Sequence, residues 1–463
     1  MDSKPISHEN IVLQCPVQIK ALQYIKVKLR FNKHGIATIK GIVEPQEKLN
    51  ALYNLTAQST VKVLANVNGK QETLFVGVPI KVEISIIRDI HYIDITLYTF
   101  TVLMDYKKNS RSFQQTDNLY INIFRNIISA YPGGYVLDKG TNDRQQNRTI
   151  IQYEETDWEF LNRVASQFNC VITPAHKLEN AILAVGIPYN KSSIETTDRY
   201  VFEKEIAKYM MFKENYGSWV ESDMMTYILH STAMYELGDI IVFEAVEFIV
   251  SEAEIELIGG ILCGKYRLQK RDSIKRNTYY NEQLQGLSID GKVISVEGDR
   301  MRLHLSIDKE QSVTTAYPYQ FDTPYTTEGS TGAYSMPQIN DNVKLYIPTH
   351  DENIAYIKVV NRTDGADNSK TQDPDTKYYG SIYGKELKMS PNDISFTATE
   401  NKIFISFDEN AGVTLQSDKE ISINSKSNIL MTCGSLSMKA KDNITLVTPD
   451  ASIIIDEKVH LKG

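Results

Sequence analysis

The sequence predicts a mainly β protein: two small N-terminal β-barrels with inserted helices, an OB-type barrel, and a C-terminal β-helix or prism needle wound from three chains. Three observations carry that reading. Runs that alternate apolar and polar residues, bounded by Gly, Pro, Asn and Asp, recur from residue 11 onward, which is the pattern of half-buried strands. Only two segments, beginning near residues 118 and 156, place apolar residues at helical spacing. From residue 408 to residue 463, short apolar pairs recur every six to nine residues with one polar residue inside each pair. At 463 residues the chain is long enough for three or four domains. The expected division is 1–115 for the first barrel, 116–195 for a helical connecting segment and 196–285 for the second barrel. It continues with 286–361 for the OB-type barrel, 362–381 for a linker and 382–463 for the needle.

Composition narrows the function classes. A hydrophobic share of 42% and a charged share of 23% are those of folded soluble protein. The net charge of −8 leaves no basic footprint for nucleic acid. Cys15, Cys170, Cys263 and Cys433 stand far apart without a CxxC, as reduced, buried thiols made in a cytosol do. The opening MDSKPISHEN lacks a basic stretch followed by an apolar one, so synthesis in a bacterial cytoplasm without a signal peptide is expected. Apolar windows long enough for a membrane-spanning helix are missing as well.

In the first barrel, alternation at 18–22 and 24–31 is followed by 61–67, Asn68-Gly69 and 72–78, and Asn-Gly between alternating runs marks a hairpin. Residues 82–87 and 93–103 continue the strand series. The first helix, 118–130, aligns Tyr120, Ile123, Phe124, Ile127 and Tyr131, with Thr116 or Asp117 as its cap and Pro132-Gly133-Gly134 as its stop. The second opens on Thr156-Asp157-Trp158-Glu159, a capping box, with Asp157 on the positive end of the helix dipole. Trp158, Leu161, Val164, Ala165 and Phe168 form its apolar stripe. Strands return at 224–230, 237–243, 246–250 and 260–268, and Glu252, Glu254 and Glu256 read as one solvated sheet edge rather than a metal cluster.

In the OB-type barrel, strands are expected at 291–296, 300–307, 343–347 and 354–360. The aromatics Tyr317, Tyr319, Phe321, Tyr325 and Tyr334 fall in a long loop, 317–337, with no Lys or Arg between Lys309 and Lys344, which argues against a nucleic-acid groove. Residues 362–377 read as a polar linker, followed by an aromatic-containing collar with Leu387/Met389, Ile394/Phe396 and 403–407.

The needle core is assigned to Val413/Leu415, Ile421/Ile423, Ile429/Met431, Leu436/Met438, Ile444/Leu446 and Ile453/Ile455. Within a pair both side chains point to one face of a strand. No Phe, Tyr or Trp occurs after residue 407, in a chain with 27 Tyr and 15 Phe, so the interior is narrow. Two inward residues per turn and open edges call for pairing between identical chains, most simply as a three-sided prism. Val459, His460 and Leu461 at the tip are assigned to contact with a capping protein. Val459 and Leu461 take the inward positions, so His460 points outward rather than gathering a metal on the axis.

Catalytic signatures are missing. The eight histidines form no HExxH, and neither GxSxG nor a P-loop occurs. Asp408-Glu409 and Asp456-Glu457 sit at strand turns, as solvated turns rather than glycosidase dyads. The expectation is a non-enzyme with no catalytic, cofactor or metal residues.

The order of parts resembles the VgrG spike of type VI secretion and the fused hub and spike of contractile phage tails and phage-tail-like bacteriocins. The resemblance covers nearly the whole chain. It rests on Glu154-Glu-Thr-Asp-Trp-Glu-Phe-Leu-Asn-Arg-Val-Ala between the barrels and on Met336-Pro-Gln-Ile-Asn-Asp-Asn-Val in the OB-type barrel. It implies a structural homotrimer whose N-terminal barrels dock on a hexameric inner tube among baseplate proteins. The needle would carry a PAAR-like tip protein or an effector and would meet the target membrane transiently. The sequence departs from the family in lacking a regular Val-Gly repeat, a lysozyme insertion at 362–377 and an effector extension beyond Gly463. The rival reading is a β-helical, tailspike-like enzyme or binding protein acting on surface polysaccharide; it calls for aromatic grooves and clustered carboxylates.

Overall fold

The computed structural model describes residues 5–188, 194–195, 199–216, 220–243, 245–274, 277–322, 325–326, 332–360 and 368–462. Two compact units divide the chain, Met1–Thr363 and Asp364–Gly463. Among the described residues no helix is long and apolar enough to cross a membrane.

A twelve-stranded sheet dominates the N-terminal unit. Strands Ile11–Gln14, Val61–Val67, Lys70–Ile87, Ile90–Tyr98, Ile36–Val43 and Ala21–Arg30 lie side by side in that order. Ala21–Arg30 then pairs with Val246–Ile258, and Ile261–Gln269, Met225–Ser231 and Arg199–Lys204 follow. The two β units expected as separate barrels therefore share one sheet. They share a core as well, in which Ile25, Leu29 and Ile39 belong to the same cluster as Leu229, Phe248 and Leu262. The Asn68-Gly69 hairpin forms as expected, with φ of 51° and 77°, the positive values that a type I′ turn requires.

Glu252, Glu254 and Glu256 do not line a solvated edge. Their strand is interior, paired on both sides. Each glutamate faces a cation on Ala21–Arg30: Arg30 lies 2.7 Å from Glu252, and Lys26 contacts both Glu254 and Glu256. Alternation alone does not distinguish an edge from a charged seam between two sheet halves, because both present every second side chain to water.

Among the described residues three α-helices, Glu47–Asn54, Ile206–Tyr216 and the single turn Arg271–Ile274, lie outside the two segments with helical spacing. Glu47–Asn54 buries only Ala51 and leaves Leu49, Leu52 and Tyr53 exposed, so it lacks the apolar stripe that signals a helix. The helix Tyr120–Ile128 buries Tyr120, Ile123, Phe124 and Ile127 as expected, but neither Thr116 nor Asp117 caps it. Asn118 stands at its entry instead, its side-chain oxygen accepting from the Leu119 amide and from Asn122.

The capping box at Thr156 is present. Glu159 N–H donates to Thr156 Oγ1 at 3.1 Å, and the Thr156 amide donates to Glu159 Oε2 at 2.9 Å. The helix it opens, Asp157–Ser166, is buried nearly all round. Asp157 does more than meet the dipole, because its carboxylate accepts from Asn109, Gln152, Arg111 and Tyr131. On the same helix Arg163 is fully buried. It reaches Glu155 through two bonds of 2.8 Å, the Ile151 carbonyl at 2.7 Å and Glu352 at 3.3 Å. Burial works against its charge, but the two carboxylates outweigh that and hold it protonated.

Glu352 belongs to the next β unit, a closed barrel of Leu287–Glu297, Arg300–Leu305, Pro318–Phe321, Tyr356–Val360 and Asn342–Ile347. More polar contacts tie this barrel to the helical segment. The Asp308 carboxylate accepts from Ser112, the Tyr317 amide donates to Gln114, and the Thr149 and Tyr319 hydroxyls lie 3.0 Å apart. The loop expected at 317–337 is in part a barrel strand, with Tyr319 fully buried and Phe321 nearly so. In the MPQINDNV segment the Gln338 amide donates to Asp341 at 2.8 Å, forming the turn that launches strand Asn342–Ile347. Of the expected linker, residues 362–367 lie outside the described residues; Ser369–Thr371 form a short 3-10 turn. All four cysteines are free, but none is fully buried: Cys15, Cys170 and Cys263 are half-buried and Cys433 is exposed.

Replacing Arg163 with Met leaves Glu155 and Glu352 buried without their cation and should cost about 3–5 kcal/mol in urea unfolding. A loss below about 1 kcal/mol would show that the triad is not structural. A second outcome concerns Asp105, which accepts from His34 Nε2 at 2.8 Å and from Thr156 Oγ1 at 2.5 Å. Burial raises its pKa, but the bonds from His34 and Thr156 outweigh that and hold it below the ordinary 3.8. A depressed carboxylate stabilises above its unfolded value and loses that contribution as pH falls through its folded value. Asp105→Asn should therefore cost about 1 kcal/mol near neutrality, with the difference from the parent protein vanishing in unfolding curves below the ordinary carboxylate range.

Candidate assembly surface

The C-terminal unit holds two antiparallel sheets. The larger is a meander of Lys377–Gly380, Glu386–Met389, Asp393–Thr399, Ile403–Asp408 and Gly412–Gln416. Its register sets Tyr379 opposite Leu387, then Phe396, Ile405 and Leu415 in one cross-strand row. Met389, Ile394, Phe407 and Val413 make a second row two residues along each strand, and so on the same face. The reverse face carries Lys388, Ser395, Ser406 and Thr414. Side chains of the apolar face remain in water: Phe396 is 51% exposed and Val413 68%.

The smaller sheet, Ile444–Val447, Ser452–Ile455 and Val459–Lys462, repeats the arrangement. Ile444 faces Ile455 and then Val459, while Leu446 faces Ile453 and then Leu461. His460 stands on the reverse face opposite Ile454, its Nε2 3.3 Å from Asp456, as the parity of Val459 and Leu461 requires. Among the described residues no group of His, Cys, Asp or Glu is placed to hold a metal ion.

Between the sheets, residues 417–443 carry no strand, and Ile421, Ile423, Ile429, Met431, Leu436 and Met438 are all exposed, Ile423 by 63%. Stacked coils of a solenoid do not form within one chain. A lone sheet with two apolar side chains per strand has no second layer to enclose a core. Each Ile, Leu or Met left in water forgoes part of roughly 1.5–3 kcal/mol of burial. Contiguous apolar faces of this length are the kind that protein, membrane or ligand contacts cover in other proteins. Sequence analysis had named the collar pairs and the needle pairs separately; it missed Tyr379 and the strand register that joins the collar to Val413 and Leu415. The hairpin residues Asn401 and Gly412, both at positive φ, were the available signal.

No known family profile matches the chain, and no curated protein matches it in sequence. Likeness lies in the fold, which is of the class found in type VI secretion spikes and phage tail hubs. The Escherichia coli c3393 protein is described as a component of the type VI secretion system with structural similarity to the bacteriophage T4 tail proteins gp27 and gp5. It superposes with a TM-score of 0.54 at 9% identity, over 75% of this chain and 99% of that one. A chain of the lidded Francisella PdpA–VgrG complex gives a TM-score of 0.57 at 9% identity, over 88% of this chain and 79% of that one. The lidless form of that complex gives 0.53 at 10% identity, over 88% and 97%. The chain thus has a VgrG-type fold.

Proposed function

We propose that the chain is the trimeric hub and piercing spike of a contractile injection system. The observation that carries this is the C-terminal unit, whose apolar faces and residues 421–438 have no core within one chain. Three copies, each turning such a face to a common axis, would bury the rows from Tyr379 to Leu415 and from Ile444 to Leu461. Pairing between chains would also supply partners for residues 417–443 and close open strand edges. The absence of rings after residue 407 suits a narrow interior.

In this reading the N-terminal unit is the hub. Two β units per chain present six related surfaces per trimer, which matches a hexameric inner tube beside the baseplate proteins. Val459, His460 and Leu461, in the last strand at the end of that core, are the contacts for a small PAAR-like tip protein or effector. The protein acts mechanically rather than as an enzyme: opening an interwound needle requires breaking strand pairs of three chains at once, so sheath contraction reaches the target membrane as force. It is made in the bacterial cytoplasm and leaves only as part of the particle.

Light scattering on a size-exclusion column should give three times 52.6 kDa. A clean monomer would overturn the proposal. Ile423→Asp with Met431→Asp sharpens the test. On a monomer these exposed positions tolerate charge within about 0.5 kcal/mol. In a trimer the variant buries six carboxylates near one axis and should dissociate it while the N-terminal unit stays folded.

A further inference from the structure

The solvent face of the twelve-stranded sheet holds a half-open cavity of about 500 Å³ at the seam between its two halves. Tyr98, Ile36, Lys28, Glu254 and Lys265 are successive neighbours across five strands there. Arg30, Glu252 and Arg267 form the next row. Lining the cavity are five cations (Lys28, Arg30, Lys33, Lys265 and Arg267) against two carboxylates, on a chain whose net charge is −8.

Both carboxylates are already engaged. Glu252 binds Arg30 at 2.7 Å, and Glu254 is held by Lys26, which stands outside the cavity. Lys28, Lys33 and Lys265 are exposed and enter none of the ion pairs among the described residues. Ile36, Tyr98 and Ile228 provide an apolar wall beside them, and the buried Leu29 and Ala253 lie at the floor.

We propose that this groove binds an extended, carboxylate-rich peptide segment of a partner protein, with one apolar residue of that segment against Ile36 and Tyr98. Lys28 and Lys265 stand two strands apart, roughly 10 Å, which is the span of three residues of an extended peptide at about 3.3 Å each. Glu252 and Glu254 between the cations disfavour a continuous phosphate backbone and favour discrete carboxylates that meet the lysines alone. All of its lining residues belong to one chain, so the proposal does not rest on the trimer.

Fluorescence anisotropy of a labelled peptide of glutamates with a central leucine, titrated with the full-length chain, tests this. Saturable binding is expected, weakened about tenfold or more between about 50 mM and about 300 mM salt. Lys28→Glu with Lys265→Glu should weaken it by about tenfold or more as well, since each change turns attraction into repulsion. Lys48→Glu, on the helix Glu47–Asn54, should leave affinity unchanged. Both lysines of the double variant are exposed; should its thermal melt shift, the Lys→Ala pair replaces it with the same expectation of weakened binding. Undetectable binding overturns the proposal, as does equal binding by the variants. So does an oligothymidylate of matching charge that binds as tightly as the peptide.

Discussion

The fully buried guanidinium of Arg163 is the constraint on which the arrangement of the N-terminal unit turns. A charge in that position is tolerable only while carboxylates surround it, and its two partners come from different parts of the chain: Glu155 from the strand leading into the same helix, Glu352 from the closed barrel. Separating barrel from helix would strand a cation in an apolar interior. A buried ion triad need not add net stability over an apolar core of equal volume, but its geometry ties the position of Glu352 to that of Arg163. Ser112 with Asp308, Gln114 with Tyr317 and Thr149 with Tyr319 extend the same joint, so two β units and a helix are set at one defined geometry.

How much of this could be read in advance follows the range of the interactions. The capping box at Thr156 and the hairpin at Asn68-Gly69 are settled by residues within four positions of each other, and both stand where alternation and turn chemistry put them. Arg163 belongs to the ETDWEFLNRVA run, but nothing in that run identifies Glu352, 189 positions away, as its partner. The charged seam was misread for the same reason. Glu252, Glu254 and Glu256 alternate as an edge strand would, and only pairing with Ala21–Arg30, more than 200 residues earlier, turns them into an interior column. Tyr319 precedes a Pro- and Gly-rich stretch that reads as a loop, and its burial depends on strands that close the barrel from both sides.

The two units differ in how they answer the problem of apolar surface. In Met1–Thr363, sheet, helices and barrel cover one another, and rings do much of the filling: Phe113 stacks on Phe160 at 5.4 Å, Tyr227 meets Phe248 at 4.6 Å, and Tyr235 meets Tyr266 at 5.1 Å. Asp364–Gly463 has the alternation of a good β protein but only one layer of it. Its apolar rows are as regular as any in the first unit, from Tyr379 to Leu415 and from Leu446 to Leu461, yet none of the described residues of that unit lies over them.

That contrast also bears on stiffness. A thick core of aromatic rings tolerates local repacking, whereas a slender interior of Val, Ile, Leu and Met has few alternative arrangements that keep its density. Aromatics persist in the apolar rows of the collar, at Tyr379, Phe396 and Phe407, and stop there; beyond residue 407 every candidate core side chain is aliphatic. A taper from ring-bearing to ring-free rows narrows the cross-section that any shared core can have. Branched and linear aliphatic side chains at period two hold the strand register, because a slip of one residue would turn each apolar row to water and Thr445, His460 and Lys462 inward. The pattern that leaves a single chain unfinished is therefore the same pattern that would permit only one way of finishing it.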